Sequence, residues 1–330
     1  MKIFITGGAG YIGSVLAGQL LSRGDDVTVF DDLWFGGDSV IPLMQSDRFR
    51  LIKGDICSEN NLATIMRTAD CVVHLAALVG FPACEKGGRD YARHINVEGT
   101  QNVCQAANKA GVKRLIFASS YSNYGESQKG ELVTETSPLQ PKSIYAETKI
   151  EAERYLLCQD FTDITAPTCL RLATVFGLSP RTRFDLIVNQ FVLDAISKGV
   201  TEIYQVDFKR SFVHVRDVAR AIVTIMDAPI EMVQNQVFNV GSESCNISKQ
   251  QLVELIKLYI PDLKVIYRDI SFAADMRSIH VSFEKIRRTL GFEAKISIAQ
   301  GIEELLWAIQ NKVISDPLND RYRNHPAILV

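Results

Sequence analysis

The chain lacks the features that mark several broad classes of protein. No apolar run approaches the roughly 18 residues needed to cross a bilayer, which excludes a membrane-spanning helix. The formal net charge of −2 over 330 residues gives no electrostatic footing for nucleic acid or for an anionic membrane surface. Seven cysteines are scattered without a Cys-x-x-Cys pair, and the count is odd. That argues against a disulfide framework and for a reduced, cytoplasmic setting. Neither they nor the five histidines show metal-ligand spacing, so no metal is expected. Internal repeats and low-complexity tracts are missing too. The first strand signal starts at Lys2, so no signal peptide is expected ahead of it. What remains is ordinary for a soluble globular protein, at 47% hydrophobic and 22% charged residues, with a length suited to one large domain or two.

The run Met1-Lys2-Ile3-Phe4-Ile5 reads as a strand. Behind it come Thr6-Gly7-Gly8-Ala9-Gly10-Tyr11-Ile12-Gly13, then residues 14–21 with helical periodicity. A strand, a glycine turn and a helix start in that order set backbone N–H groups and the positive end of a helix dipole against a pyrophosphate. Gly7 suits the tight turn, Gly10 the close approach of phosphate, and Gly13 the contact of helix on strand. Further strands are predicted over 27–30, 49–53, 70–75, 114–118 and 168–172. Helices are predicted over 89–110, stopped by Gly111, and over 143–157. This alternation predicts an α/β fold, a Rossmann-type doubly wound parallel sheet with helices on both faces. The second half is less regular. Helices are predicted over 184–198, 248–259 with Ser248 as N-cap, 282–290 and 298–311. A strand–helix mixture covers 213–227, a strand covers 236–240, and an irregular surface tail covers 316–330. These make a smaller α/β lobe over the carboxyl edge of the sheet, where open α/β sheets bind ligands.

Three groups carry chemistry. Asp31 ends the second strand, where a carboxylate accepts hydrogen bonds from both adenosine ribose hydroxyls and repels a 2′-phosphate, favouring NAD over NADP. Asp32 is the competing candidate. Asp55, followed by Ile56, ends the third strand where an adenine edge would lie. Tyr145 and Lys149 stand four apart on a predicted helix and so share a face. A phenol with a pKa near 10 is a poor base at neutral pH, and a neighbouring ammonium stabilises its phenolate. Ser119-Ser120 follows the fifth strand on the same sheet edge, where a hydroxyl can donate to a substrate oxygen. Cys84, His74 and His214 read as packing or structural residues.

With these elements in order, the chain resembles the extended short-chain dehydrogenase/reductase family, specifically its NAD-dependent nucleotide-sugar epimerases and dehydratases. Besides the groups above, the matching residues are Gly54-Asp55, His74-Leu75-Ala76-Ala77, Asn96-Val97-Glu98-Gly99-Thr100, Tyr124-Gly125 and Leu170-Arg171. Phe212-Val213-His214-Val215-Arg216-Asp217-Val218-Ala219, Phe238-Asn239-Val240-Gly241 and Asp275-Met276-Arg277 complete them. The resemblance covers about residues 1–312. It implies an NAD-binding domain over 1–175, also receiving 206–240, and a discontinuous nucleotide-sugar-binding lobe over 176–330. It implies a catalytic triad of Ser120, Tyr145 and Lys149, with Tyr145 as acid and base. Leu75, Ala76, Ala77, Asn96 and Ser119 join the NAD site. Arg210 and Arg277 match positions that hold the nucleotide's phosphates, with Thr174, Arg183 and Asn189 further substrate candidates. A homodimer through a four-helix bundle of helices 89–110 and 143–157 is also implied.

The departures from the family narrow the reaction. Sugar 4,6-dehydratases carry an Asp-Glu pair after the catalytic Ser/Thr, where this chain has Tyr121-Ser122. Decarboxylases use a Glu at the position of Ser122, and members that epimerise carbons 3 and 5 use a Cys nearby; both are missing. Thr174 and Asn123 replace a usual Asn and a usual Val. The expectation is hydride transfer at sugar C4, with a 4-epimerase first, a C4 dehydrogenase or 4-ketoreductase second, and a non-catalytic NAD-sensing regulator as the reading from another class.

Overall fold

The computed structural model describes residues 1–58, 60–127, 132–158, 165–268 and 278–324. The predicted strands form β1 (Lys2–Thr6), β2 (Asp26–Asp31), β3 (Phe49–Lys53), β4 (Cys71–His74), β5 (Arg114–Ser120) and β6 (Ala166–Leu172). Strand Gln236–Val240 joins them at the β6 edge, giving the order Gln236–Val240, β6, β5, β4, β1, β2, β3, with every pairing parallel. Chain order reverses between β1 and β4, which opens a crevice at the carboxyl edge.

The period-two pattern of each strand builds two cores. Ile3 and Ile5 pack with Leu16, Leu20, Val218 and Ile222, under helix α1 (Tyr11–Ser22) and helix Val215–Asp227. Phe4 points the other way, into a cluster with Phe117, Val103 and Leu156 under helices Gly99–Ala110 and Ile144–Cys158. All four residues of β4 are buried, as expected of a parallel strand covered on both faces. The expected helix over 89–110 is present in three winds: Arg89–Arg93, a wide π turn His94–Glu98, and Gly99–Ala110 ended by Gly111 at φ 77°.

The smaller lobe has its own core around Phe176, Phe212, Val192, Leu252 and Leu305. It holds a three-stranded sheet of Thr174–Phe176, Lys209–His214 and Asn246–Ser248, and a parallel pair, Val200–Tyr204 with Lys264–Arg268. Within 206–240, helix Val215–Asp227 packs on the large sheet and strand Gln236–Val240 is part of it, while Lys209–His214 belongs to the small one. Ser248 caps helix Lys249–Lys257 in a capping box with Gln251. The tail is largely irregular and exposed over 316–321 as expected, and 325–330 lie outside the described residues; the departure is at its end. Tyr322 is buried with its ring edge-on to Phe184 at 5.8 Å, and its carbonyl accepts the Phe184 N–H at 2.8 Å. Pinned this way, the chain enters its helix at Ile187 rather than at Phe184. Among the described residues no helix is long and apolar enough to cross a membrane.

Candidate active site

A cavity of about 540 Å³ lies over the carboxyl edge. Its floor is the glycine loop leaving β1. Gly7 has φ +70°, and a Cβ there would lie 2.6 Å from the Ala76 nitrogen; one on Gly13 would lie 2.5 Å from the Gly7 carbonyl oxygen. A side chain at either position would collide with neighbouring backbone. Gly10 caps α1 with no side-chain hydrogen bond, and the first turn carries no acidic residue. The helix start is therefore open to an anionic ligand. Tyr11 and Ile12 reach the cavity wall. The Tyr11 hydroxyl is turned away, donating to the Gly177 carbonyl at 2.7 Å.

Asp31 ends β2 and Asp32 follows it on the same wall. Asp31 accepts the Ala9 N–H at 3.0 Å and the Leu33 N–H at 2.9 Å. Burial pushes its carboxyl pKa up to about 6 despite those bonds. Asp32 accepts the Trp34 N–H at 2.9 Å, and Asp55 the Cys57 N–H at 2.8 Å. Asp55, Ile56, Leu75, Ala76 and Ala77 complete this half of the wall. A glycine cradle with a carboxylate 18 positions beyond Gly13 fits a dinucleotide such as NAD.

Asn96 stands one layer behind the wall. It is buried in the π turn, accepts the Leu78 N–H at 2.7 Å, and donates to the Leu78 carbonyl and the Thr148 hydroxyl. It braces the loop after β4 instead of facing the cavity. Ser119 reaches the wall, but its hydroxyl donates to Glu153 at 2.7 Å. His74 is bridged by Thr6 and Thr100 at 2.7 and 2.9 Å, and burial pulls its pKa down to about 3. It is a neutral strut under the loop.

Ser120, Tyr145 and Lys149 all line the cavity. The Ser120 oxygen accepts the Ser122 N–H at 3.2 Å, which leaves its own proton for a ligand. The Lys149 ammonium donates to the Ala118 carbonyl at 2.9 Å, lies 4.6 Å above the Phe117 ring and stands 6.0 Å from the Tyr145 ring centre. Burial pulls its pKa down to about 8.

Toward the smaller lobe, Thr174 and Arg183 line the cavity. Thr174 shares a 2.7 Å hydrogen bond with the Tyr121 hydroxyl, and Arg210 stands buried behind that hydroxyl at 3.4 Å. Arg183 forms two hydrogen bonds to Asp185, at 3.1 and 2.7 Å. Burial works against its charge, but the carboxylate raises its pKa above the ordinary value. The expected ligand role of Asn189 does not match its position. Asn189 is fully buried, with its amide bonded to Gly177 and to the Arg183 carbonyl, and it organises the crossover instead. Arg277 lies outside the described residues. Sequence reasoning missed Trp34, Phe35, Tyr91, Arg181 and Asn324 on the wall. The aromatic pair Trp34-Phe35, separated from Asp31-Asp32 by Leu33 alone, was a usable signal in the strand-end loop; Asn324, brought in by the tail, had none.

Residues 3–241 match the family model described as the NAD dependent epimerase/dehydratase family. The UDP-glucose 4-epimerase of Lactobacillus helveticus is 29% identical, over 93% of this chain and 96% of that protein. UDP-glucuronic acid decarboxylase 1 of Arabidopsis thaliana is 28% identical, over 96% of this chain and 71% of the relative. The dTDP-glucose 4,6-dehydratase DesIV of Streptomyces venezuelae, solved with NAD bound, superposes with a TM-score of 0.84 at 26% identity, over 97% of this chain and all (100%) of that one. Three different reactions thus recur among proteins similar to this chain. The chain is an NAD-dependent enzyme and belongs to the NAD dependent epimerase/dehydratase family.

Proposed function

We propose that the protein inverts carbon 4 of a nucleotide-linked sugar. The observation that carries this reading is the distribution of carboxylates around the cavity. Among the described residues, Asp31, Asp32 and Asp55 are the acidic groups on its wall, and all three stand in the half assigned to the cofactor. Next to Ser120 the wall presents Tyr121 and Ser122. Eliminating water calls for a positioned acid and base, and those two side chains supply no carboxylate.

In this reading Tyr145, as phenolate, takes the proton of the 4-hydroxyl while C4 is oxidised. It returns that proton when C4 is reduced from the opposite face. NAD, when bound over the glycine loop, supplies the reversible hydride chemistry. Ser120 donates its free proton to the reacting oxygen, and the Lys149 ammonium favours the phenolate. Thr174, Arg183, Arg210 and Arg277 are assigned to the nucleotide sugar, the arginines to its diphosphate. The long helices Gly99–Ala110 and Ile144–Cys158 lie side by side, with Gln105 donating to the Tyr155 hydroxyl at 3.1 Å on their outer side. A homodimer pairing them with their copies in a four-helix bundle belongs to the same proposal.

The test is incubation of the purified protein with UDP- and dTDP-hexoses carrying deuterium at C4, followed by proton NMR. An equilibrium of C4 epimers that retains the label, without net NADH, is the expected result. Stoichiometric NADH would make the enzyme a dehydrogenase; a 4-keto-6-deoxy product or a decarboxylated sugar would overturn the reading outright.

A further inference from the structure

Arg181 lies in the crossover between strand Thr174–Phe176 and helix Ile187–Lys198. It is 7% exposed. One terminal nitrogen donates to the Arg323 carbonyl at 3.3 Å, and the guanidinium lies 4.1 Å from the centre of the Phe35 ring. Its Nε–H is buried and has no hydrogen-bond partner. Burial first, and then the neighbouring Arg183 charge, pull its pKa down to about 10. The nearby carboxylates are committed elsewhere: Asp185 to Arg183, and Asp31 to the Ala9 and Leu33 N–H groups. An arginine buried in this way lacks the anion that would repay its desolvation.

Its location says which anion. Ser179 donates to the Tyr11 carbonyl at 2.7 Å and meets the Ser14 hydroxyl at 3.1 Å; the Arg181 N–H donates to the same Ser179 oxygen at 3.2 Å. The turn carrying Arg181 is thus fastened to the first turn of α1, above the glycine loop. Arg181 shares the cavity wall there with Ala9, Gly10 and Phe35.

We propose that Arg181 reaches across the cleft from the smaller lobe and binds a diphosphate ester seated on the glycine loop, its orphan Nε–H donating to a phosphate oxygen. The inference rests on the NAD reading of this cleft. The neighbourhood of Phe35 and Asp31 points to the dinucleotide's diphosphate rather than to that of the sugar nucleotide.

The test is calorimetric titration of cofactor-stripped wild type and Arg181→Met with ADP-ribose, adenosine and UDP. A charge-assisted hydrogen bond of this kind predicts a loss of about 10- to 100-fold for ADP-ribose, with adenosine and UDP changed by less than about three-fold. Ligand-free Arg181→Met is expected to melt no lower than wild type, because it loses an uncompensated buried charge. Arg181→Lys keeps a cation without the Nε–H and is expected to lose about ten-fold for ADP-ribose if the methionine variant fails to fold. Unchanged ADP-ribose affinity overturns the proposal. So does an equal loss for adenosine, which would place the effect in Phe35 packing, or a loss confined to UDP, which would assign the arginine to the sugar nucleotide. Wild type that binds no ADP-ribose at all would sink the cofactor site itself, a result separable from any difference between variants.

Discussion

Lys149 carries its charge into a buried site where its hydrogen bond goes to a backbone carbonyl, and this places its titration near pH 8. Below that pH the ammonium is present and supports the Tyr145 phenolate; above it the support is lost. The expected outcome is a kcat/KM profile falling above about pH 8, and one that extends further into alkali in Lys149→Arg. Stability moves the other way. Between about 8 and the ordinary 10.5 the unfolded chain binds the extra proton, so folding strengthens as pH rises, and the fall in rate is not unfolding. Tyr145→Phe should lower kcat by about 10²- to 10⁴-fold while sugar-nucleotide binding changes little. Asp31 gives a second pH signature. With its pKa raised to about 6, its stability contribution is present below the ordinary 3.8 and is lost as pH climbs through 6. Ribose hydroxyls bind the ionised form. Affinity for ADP-ribose should therefore weaken about ten-fold per unit below pH 6 by calorimetry, a dependence that Asp31→Asn should flatten.

At the scale of elements, the sheet is tied to the helix bearing Tyr145 by one buried ion pair. Arg171 on β6 meets Glu153 on helix Ile144–Cys158, with both side chains at least 95% buried, at 5% and 3% exposure. Glu153 also accepts from Ser119 and Asn123, and Arg171 reaches the Tyr124 hydroxyl at 3.0 Å. Removing the acid alone leaves a guanidinium stranded. Glu153→Ala should cost about 3–5 kcal/mol in urea unfolding, and Glu153→Gln less. The elements legible in the sequence were those with long patterns or firm punctuation: β1 to β6, the helix closed by Gly111, and the helix capped by Ser248. Strands Thr174–Phe176 and Asn246–Ser248 are three residues each, too short for a period, and Val200–Tyr204 finds its partner Lys264–Arg268 more than sixty positions away. The same division holds in the site. Ser120, Tyr145 and Lys149 sit on regular elements and were readable. Asn96 and Asn189 have the right composition but spend their amides on the scaffold, which only the folded neighbourhood reveals. Arg181 and Asn324 arrive on irregular chain with no local pattern.

For the whole molecule, the proposed four-helix bundle predicts a mass of twice 36.8 kDa by light scattering at micromolar concentration, and a monomer there would remove it. The two lobes are also buttoned together at the base of the cavity. Tyr11 bonds to the Gly177 carbonyl, Ser179 bonds back to the Tyr11 carbonyl, and Asn189 anchors both sides of the glycine at 177. Opening the lobes like a jaw would tear these buried contacts. On the cavity wall Trp34 and Tyr91 meet edge to face at 6.4 Å. The cleft behaves as a slot of set width, so crystals grown empty should take up small molecules by soaking without cracking.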